Sequence, residues 1–210
     1  MRVIVAIHGI QSRKKNSWMY AFCDAIGTDP RFKDDAHAYY YYGYFPAIDT
    51  LNGLERLNII REFMKFLRQL RADYPQADLS IVAHSYGTEV SFQAIKRSGE
   101  DGKAPILVDK LILVAGIVSA HREINYRDTL RAGKIKELHN YCSYSDEVCR
   151  YNPFGHCGCF GFLKSAYDMA CYDKPFADLN IFNHQQKTLG HSDYFVGSKF
   201  MKEWLDIIAR

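Results

Sequence analysis

The chain has 210 residues, a formal net charge of +3, and apolar and charged fractions of 48% and 24%. That length suits one α/β domain, residues 1–210, and that balance is the composition of a soluble globular protein able to bury a core. No apolar run approaches the roughly 18 residues of a membrane helix, and among the basic residues only Arg13-Lys14-Lys15 cluster tightly, which reads as a solvated loop rather than a nucleic-acid patch.

Residues 2–7 form a continuous apolar run, the mark of a strand buried on both faces. The run is too short, and too soon followed by His8-Gly9, for a signal peptide. The expectation is therefore a cytoplasmic protein with reduced cysteines. A helix is predicted over 17–27 and an aromatic strand over 38–45. Leu54, Leu57, Ile60, Met64, Leu67 and Leu70 recur at three and four, an amphipathic helix ended by Pro75. Residues 79–84 read as a strand and 87–98 as a helix.

The second half repeats the alternation. Strands are predicted over 110–115, 136–144 and 179–184, and helices over 123–132, 161–171 and 193–208. Strands alternating with helices imply right-handed βαβ units. The expected fold class is α/β: a three-layer α/β/α sandwich with a mostly parallel sheet of about six strands.

Ligands of such sheets gather beyond the carboxyl ends of the strands. There the chain places His8-Gly9-Ile10-Gln11, His84-Ser85-Tyr86-Gly87, the segment from Gly116 to His121, Ser145-Asp146-Glu147 and Gly190-His191-Ser192-Asp193. A serine, a carboxylate and a histidine thus fall in that order along one edge.

Ala83-His84-Ser85-Tyr86-Gly87 resembles the nucleophile elbow Gly-x-Ser-x-Gly of the α/β-hydrolase superfamily, with alanine for the first glycine, as in some small bacterial lipases. Small residues two before and two after the serine let a sharp strand-to-helix turn pass close to neighbouring backbone. Ile7-His8-Gly9-Ile10 is similar to the strand-end segment that supplies an oxyanion-hole amide. Asp146 stands where that fold carries its acid, and His191 in "LGHSDYF" where it carries its histidine. The resemblance spans nearly the whole chain but lacks the first two strands of the full fold. It implies a minimal hydrolase core without a large cap domain.

The resemblance further implies a serine hydrolase acting on a carboxylic ester or related acyl bond of a small-molecule substrate. Ser85 would attack, His191 would carry the proton and Asp146 would orient the imidazole. The amides of Tyr86 and of Ile10 or Gln11 would meet the oxyanion. Glu147, Asp173 and Asp178 compete with Asp146, and His184, His139 and His156 with His191. His8 and His84 precede the acid and are expected to line the site or support it, with Tyr144 and Phe154 near a substrate pocket. No cofactor is expected. An acyltransferase on the same scaffold, or an inactive interaction module, is the alternative.

Cys149, Cys157, Cys159 and Cys171 with His156 invite a zinc reading, but Cys-x-Cys is not the usual paired spacing, so no metal is expected. The stretch around 149–172 reads instead as a small apolar insert, a possible cap or site wall.

Overall fold

The computed structural model describes residues 1–10, 18–44, 46, 52–118, 123–152, 155–162 and 179–210. Six strands form one sheet: β1 (Arg2–Ile7), β2 (Ala36–Tyr40), β3 (Asp78–His84), β4 (Val108–Val114), β5 (Ile135–Ser143) and β6 (Ile181–Gln186). Their order is β2-β1-β3-β4-β5-β6, and every neighbouring pair is parallel.

The order runs one way from β1 to β2 and the other way from β2 onward. With right-handed crossovers, α1 (Trp18–Thr28) falls on one face, and α2 (Gly53–Asp73), α3 (Tyr86–Arg97) and α4 (Glu123–Arg131) on the other. The last helix, α7 (Lys199–Ile208), packs beside α1. Among the described residues, two short helices, α5 (Glu147–Tyr151) and α6 (Cys157–Phe160), lie between β5 and β6 in the chain. The molecule is therefore an α/β/α sandwich, and β1 and β3 flank the point where the order reverses. A parallel sheet offers its binding crevice there.

The buried runs explain the layers. Val3–Ile7 of β1 and Leu79–Ala83 of β3 have almost no exposed surface, as central parallel strands require. On the α1 side, Trp204 of α7 is fully buried, with Trp18, Phe22 and Tyr141 at ring distances of 6.0 Å. Among the described residues no helix is long and apolar enough to cross a membrane.

Two elements differ appreciably from their expected spans. The aromatic strand predicted over 38–45 is Ala36–Tyr40. Its continuation leaves the sheet to cover His8: the Tyr42 ring stacks on the imidazole at 4.0 Å and its hydroxyl donates to the His8 carbonyl at 2.9 Å. The helix predicted over 193–208 is broken, with a 3-10 turn at Asp193–Phe195 before α7, and Gly197 between them takes φ +75°. Most of the helix predicted over 161–171 lies outside the described residues.

Candidate active site

The turn from β3 to α3 carries the site. Ser85 has φ 52° and ψ −123°, a left-handed backbone that a residue with a Cβ rarely adopts. Its side chain makes no capping bond to α3, so the conformation is not explained by a helix cap. The surroundings hold it in place. The Ser85 amide donates to the Val114 carbonyl at 3.0 Å, and the Ser85 carbonyl accepts the amide and hydroxyl of Thr88 at 3.0 and 2.5 Å. Thr88 Oγ1 in turn accepts the Ile117 amide at 3.0 Å, tying the elbow to the end of β4.

Two glycines make room for this turn. A Cβ on Gly9 would lie 2.6 Å from Ser85 Cβ, and one on Gly87 would drive into the carbonyl oxygens of His8 and Ile7. Gly87 is inside α3, where propensity alone favours alanine by about 1 kcal/mol. Gly87→Ala is nevertheless expected to destabilise by about 2–3 kcal/mol, because the opposing atoms are backbone and cannot swing aside. A urea midpoint that rises in the variant would show that the helix and β1 are not in this contact.

His191 bridges the serine and the acid. Its Nε2 lies 2.8 Å from Ser85 Oγ, and its Nδ1 lies 2.9 and 3.1 Å from the two Asp146 oxygens. With Nδ1–H donating to the carboxylate, the Nε2 lone pair is left facing the serine hydroxyl. Asp146 is fully buried and is the N-cap of α5, its Oδ1 accepting the Cys149 amide at 2.9 Å. Burial pushes its pKa up, but the His191 hydrogen bond, the His191 charge and the Cys149 amide together outweigh this. The carboxyl is held below its ordinary value.

The other candidates fall into distinct places. Tyr86 is the first residue of α3, where an amide has no carbonyl of a preceding turn to bond. Ile10 follows Gly9, whose backbone abuts Ser85, while Gln11 and Phe154 lie outside the described residues. Tyr144 is 42% exposed, three residues after Tyr141 on the turn that leads to Asp146. Glu147 is exposed on α5; Asp173 and Asp178 lie outside the described residues. His139 and His184 face each other at 3.1 Å across β5 and β6, and His156 bonds the Cys149 carbonyl at 3.0 Å. None of these three histidines stands in the Ser85 relay.

His8 and His84 support the turn from inside. His8 is buried; its Nδ1 donates to the Gly9 carbonyl and its Nε2 accepts the Tyr42 amide at 3.3 Å. Burial lowers its pKa to about 4 against the opposing Gly9 bond. With both ring nitrogens engaged by the protein, it holds the loop after β1. His84 Nε2 donates to the His191 carbonyl at 3.1 Å. Burial and the neighbouring His191 lower its pKa to about 3, so at neutral pH it is an uncharged donor.

His84 thus fixes the loop that carries His191, a role the sequence left open. His84→Gln, which can place an N–H near the same point, is expected to keep most activity. His84→Phe, which fills the space without a donor, is expected to lower kcat up to about tenfold, the worth of one hydrogen bond. Equal rates for the two variants would remove that bond from the positioning of His191.

Cys149, Cys157 and Cys159 are fully buried free thiols. The Gly158 amide donates to the Gly116 carbonyl at 2.7 Å, and Asn140 Nδ2 to the Cys157 carbonyl at 2.8 Å, so α6 is clamped onto the sheet. Within the described part of the 149–172 insert, Cys149, Cys157, Cys159 and Phe162 are buried, while Tyr151 and Phe160 are exposed. Among the described residues, the one group of three side chains able to share a metal ion is Asp146, Cys149 and His191; Cys157, Cys159 and His156 are not in it. The place of Cys149 beside His191, like the Thr88 brace, was not legible in the spacing.

No protein-family model and no curated protein matches the chain. Solved structures do. An uncharacterized protein from Bacillus cereus matches with a TM-score of 0.67 at 16% identity, over 99% of this chain and 59% of that one. This chain therefore spans about three fifths of the length of that protein. A cold-adapted esterase from an Arctic intertidal metagenomic library matches with a TM-score of 0.60 at 13% identity, over 99% and 81% of the two chains. An esterase from Pyrococcus furiosus matches at 0.55 and 10%, over 99% and 80%. The chain has the α/β-hydrolase fold.

Proposed function

We propose that the protein is a serine hydrolase that cleaves a carboxylic ester or related acyl bond through an acyl-enzyme intermediate. The observation that carries this reading is the unbroken relay from Ser85 Oγ through both nitrogens of His191 to the buried Asp146, mounted on a strained turn. Strain of that kind, of order 1–3 kcal/mol, gathers at functional sites. The esterases of similar fold agree with the reaction class.

In the first half-reaction Ser85 Oγ bonds to the acyl carbon while its proton passes to His191 Nε2. Asp146 stabilises the imidazolium through Nδ1–H. The tetrahedral oxyanion is met by the amide of Tyr86, with the N-terminus of α3 behind it, and by that of Ile10. Collapse breaks the acyl–oxygen bond, and His191 returns the proton to the leaving alcohol. Water then repeats the sequence on the acyl-serine and releases the acid.

The test is covalent labelling by a fluorophosphonate, read by mass spectrometry of the intact and digested protein. One adduct on Ser85 that is absent from Ser85→Ala is the expected result. A folded protein that takes up no label would overturn the reading and leave the scaffold as an interaction module.

A further inference from the structure

The Cys149 thiol has no part in that reaction, yet it lies against its centre. Sγ is 3.6 Å from His191 Nδ1, the nitrogen that Asp146 engages. Asp146 and Cys149 come from the first turn of α5, three residues apart and so on one face, while His191 comes from the loop after β6. A carboxylate oxygen, a sulfur and a nitrogen therefore converge, all within 4.8 Å of one another.

The sulfur–nitrogen spacing fits a tetrahedral ion, while the nitrogen–oxygen pair, 2.9 Å apart as hydrogen-bond partners, must open by a few tenths of an ångström to admit one. With bonds of about 2.3 Å to sulfur and about 2.0 Å to nitrogen, neighbouring ligands of a zinc-like centre stand roughly 3.5 Å apart. The sulfur–nitrogen pair is already at that separation. The Cys149 amide holds Asp146 Oδ1, which leaves Oδ2 as the ligand atom. One oxygen, one sulfur and one nitrogen suit a thiophilic cation, whereas magnesium and calcium require six or more oxygen-type ligands.

We propose that Asp146, Cys149 and His191 form an inhibitory site for a thiophilic divalent cation of the zinc or cadmium type. Its inhibitory consequence rests on the hydrolase reading above. Binding releases to solvent the thiol proton that Sγ otherwise donates to the Ala115 and Gly116 carbonyls at 3.2 and 3.4 Å. The dication, the thiolate, the carboxylate and a neutral imidazole then carry no net charge, which a buried site tolerates. The cation occupies the Nδ1 lone pair, so the ring proton moves through solvent to Nε2. His191 then presents an N–H to Ser85 where it had presented a lone pair, and the base is lost. Inhibition follows from a change of tautomer, with the serine itself untouched.

The experiment titrates cadmium into the metal-free full chain and into Ser85→Ala, Cys149→Ser and Cys149→Ala. It reads the ultraviolet sulfur-to-cadmium charge-transfer band and, in parallel, the rate of fluorophosphonate labelling. The expected result is a band saturating at one equivalent in the native protein and in Ser85→Ala. Both Cys149 variants should lose it, and either one alone suffices should the other fail to fold. Labelling of the native protein should slow about a hundredfold, the lower end of what a general base contributes, and magnesium should do neither.

A band that persists with the same midpoint in a folded Cys149 variant assigns the cadmium to other thiols and overturns the site. A Cys149-dependent band with undiminished labelling overturns the inhibition. Because Ser85→Ala binds without reacting, a protein that never labels would sink the hydrolase reading while the band still decides the site.

Discussion

Replacing Ser85 by alanine is expected to lower ester hydrolysis by about 10^6-fold, the scale of losing a nucleophile that acts as a unit with its base. Ser85→Gly should lose as much activity and yet give the more stable protein of the two. The reason is the backbone at φ 52°, ψ −123°, which alanine must adopt with a Cβ and glycine without one. Relief of about 1–3 kcal/mol of strain exceeds the roughly 0.5–1 kcal/mol that glycine's chain entropy costs. A p-nitrophenyl ester assay and urea unfolding of both variants check this. A Ser85→Ala rate within about tenfold of native would take Ser85 out of the chemistry. An alanine variant more stable than the glycine one would take the strain out of the elbow.

Asp146→Asn is expected to lower kcat by about 10^4-fold with kcat/KM falling in step. Asparagine is nearly isosteric, so packing changes little, but its amide group can donate to His191 Nδ1. That bond stabilises the tautomer with the proton on Nε2, which faces Ser85 and can no longer accept. The substitution also changes how stability depends on acidity. The Asp146 carboxyl titrates below its ordinary value in the folded protein, against about 3.9 when unfolded. Its contribution is therefore complete above the unfolded value and is lost as pH falls through the folded one. The stability difference between native and Asp146→Asn should be widest near neutral pH and shrink below about pH 4. A variant that loses KM while keeping kcat would place Asp146 in binding instead. A difference that does not change with pH would mean that the carboxyl is not held by His191.

Ser85 and Asp146 act at different links of one chain of cause. The first is a side chain whose backbone is strained by the turn on which it sits. The second is a buried charge whose effect reaches the serine only through the protonation of a ring. The cation site proposed above exploits the same ring, and Asp146→Asn and cadmium should leave His191 in the same tautomer.

The alternation of apolar runs and amphipathic stretches was enough to read an α/β sandwich of six strands, because each pattern reflects local burial that a neighbour along the chain cannot change. Ser85, Asp146 and His191 could be named as candidates for a similar reason: each follows a strand of a parallel sheet, and the carboxyl ends of such strands lie on one edge. Tertiary structure alone decided the rest. Strand order, reversing between β1 and β3, puts Gly9 against Ser85. The fall of the chain after Tyr40 turns two aromatic residues from strand into a cover for His8. Bonds such as His84 to the His191 carbonyl, and the approach of Cys149 to the His191 ring, join residues 107 and 42 positions apart. No local pattern encodes such contacts, because they depend on where three separate strands end in space.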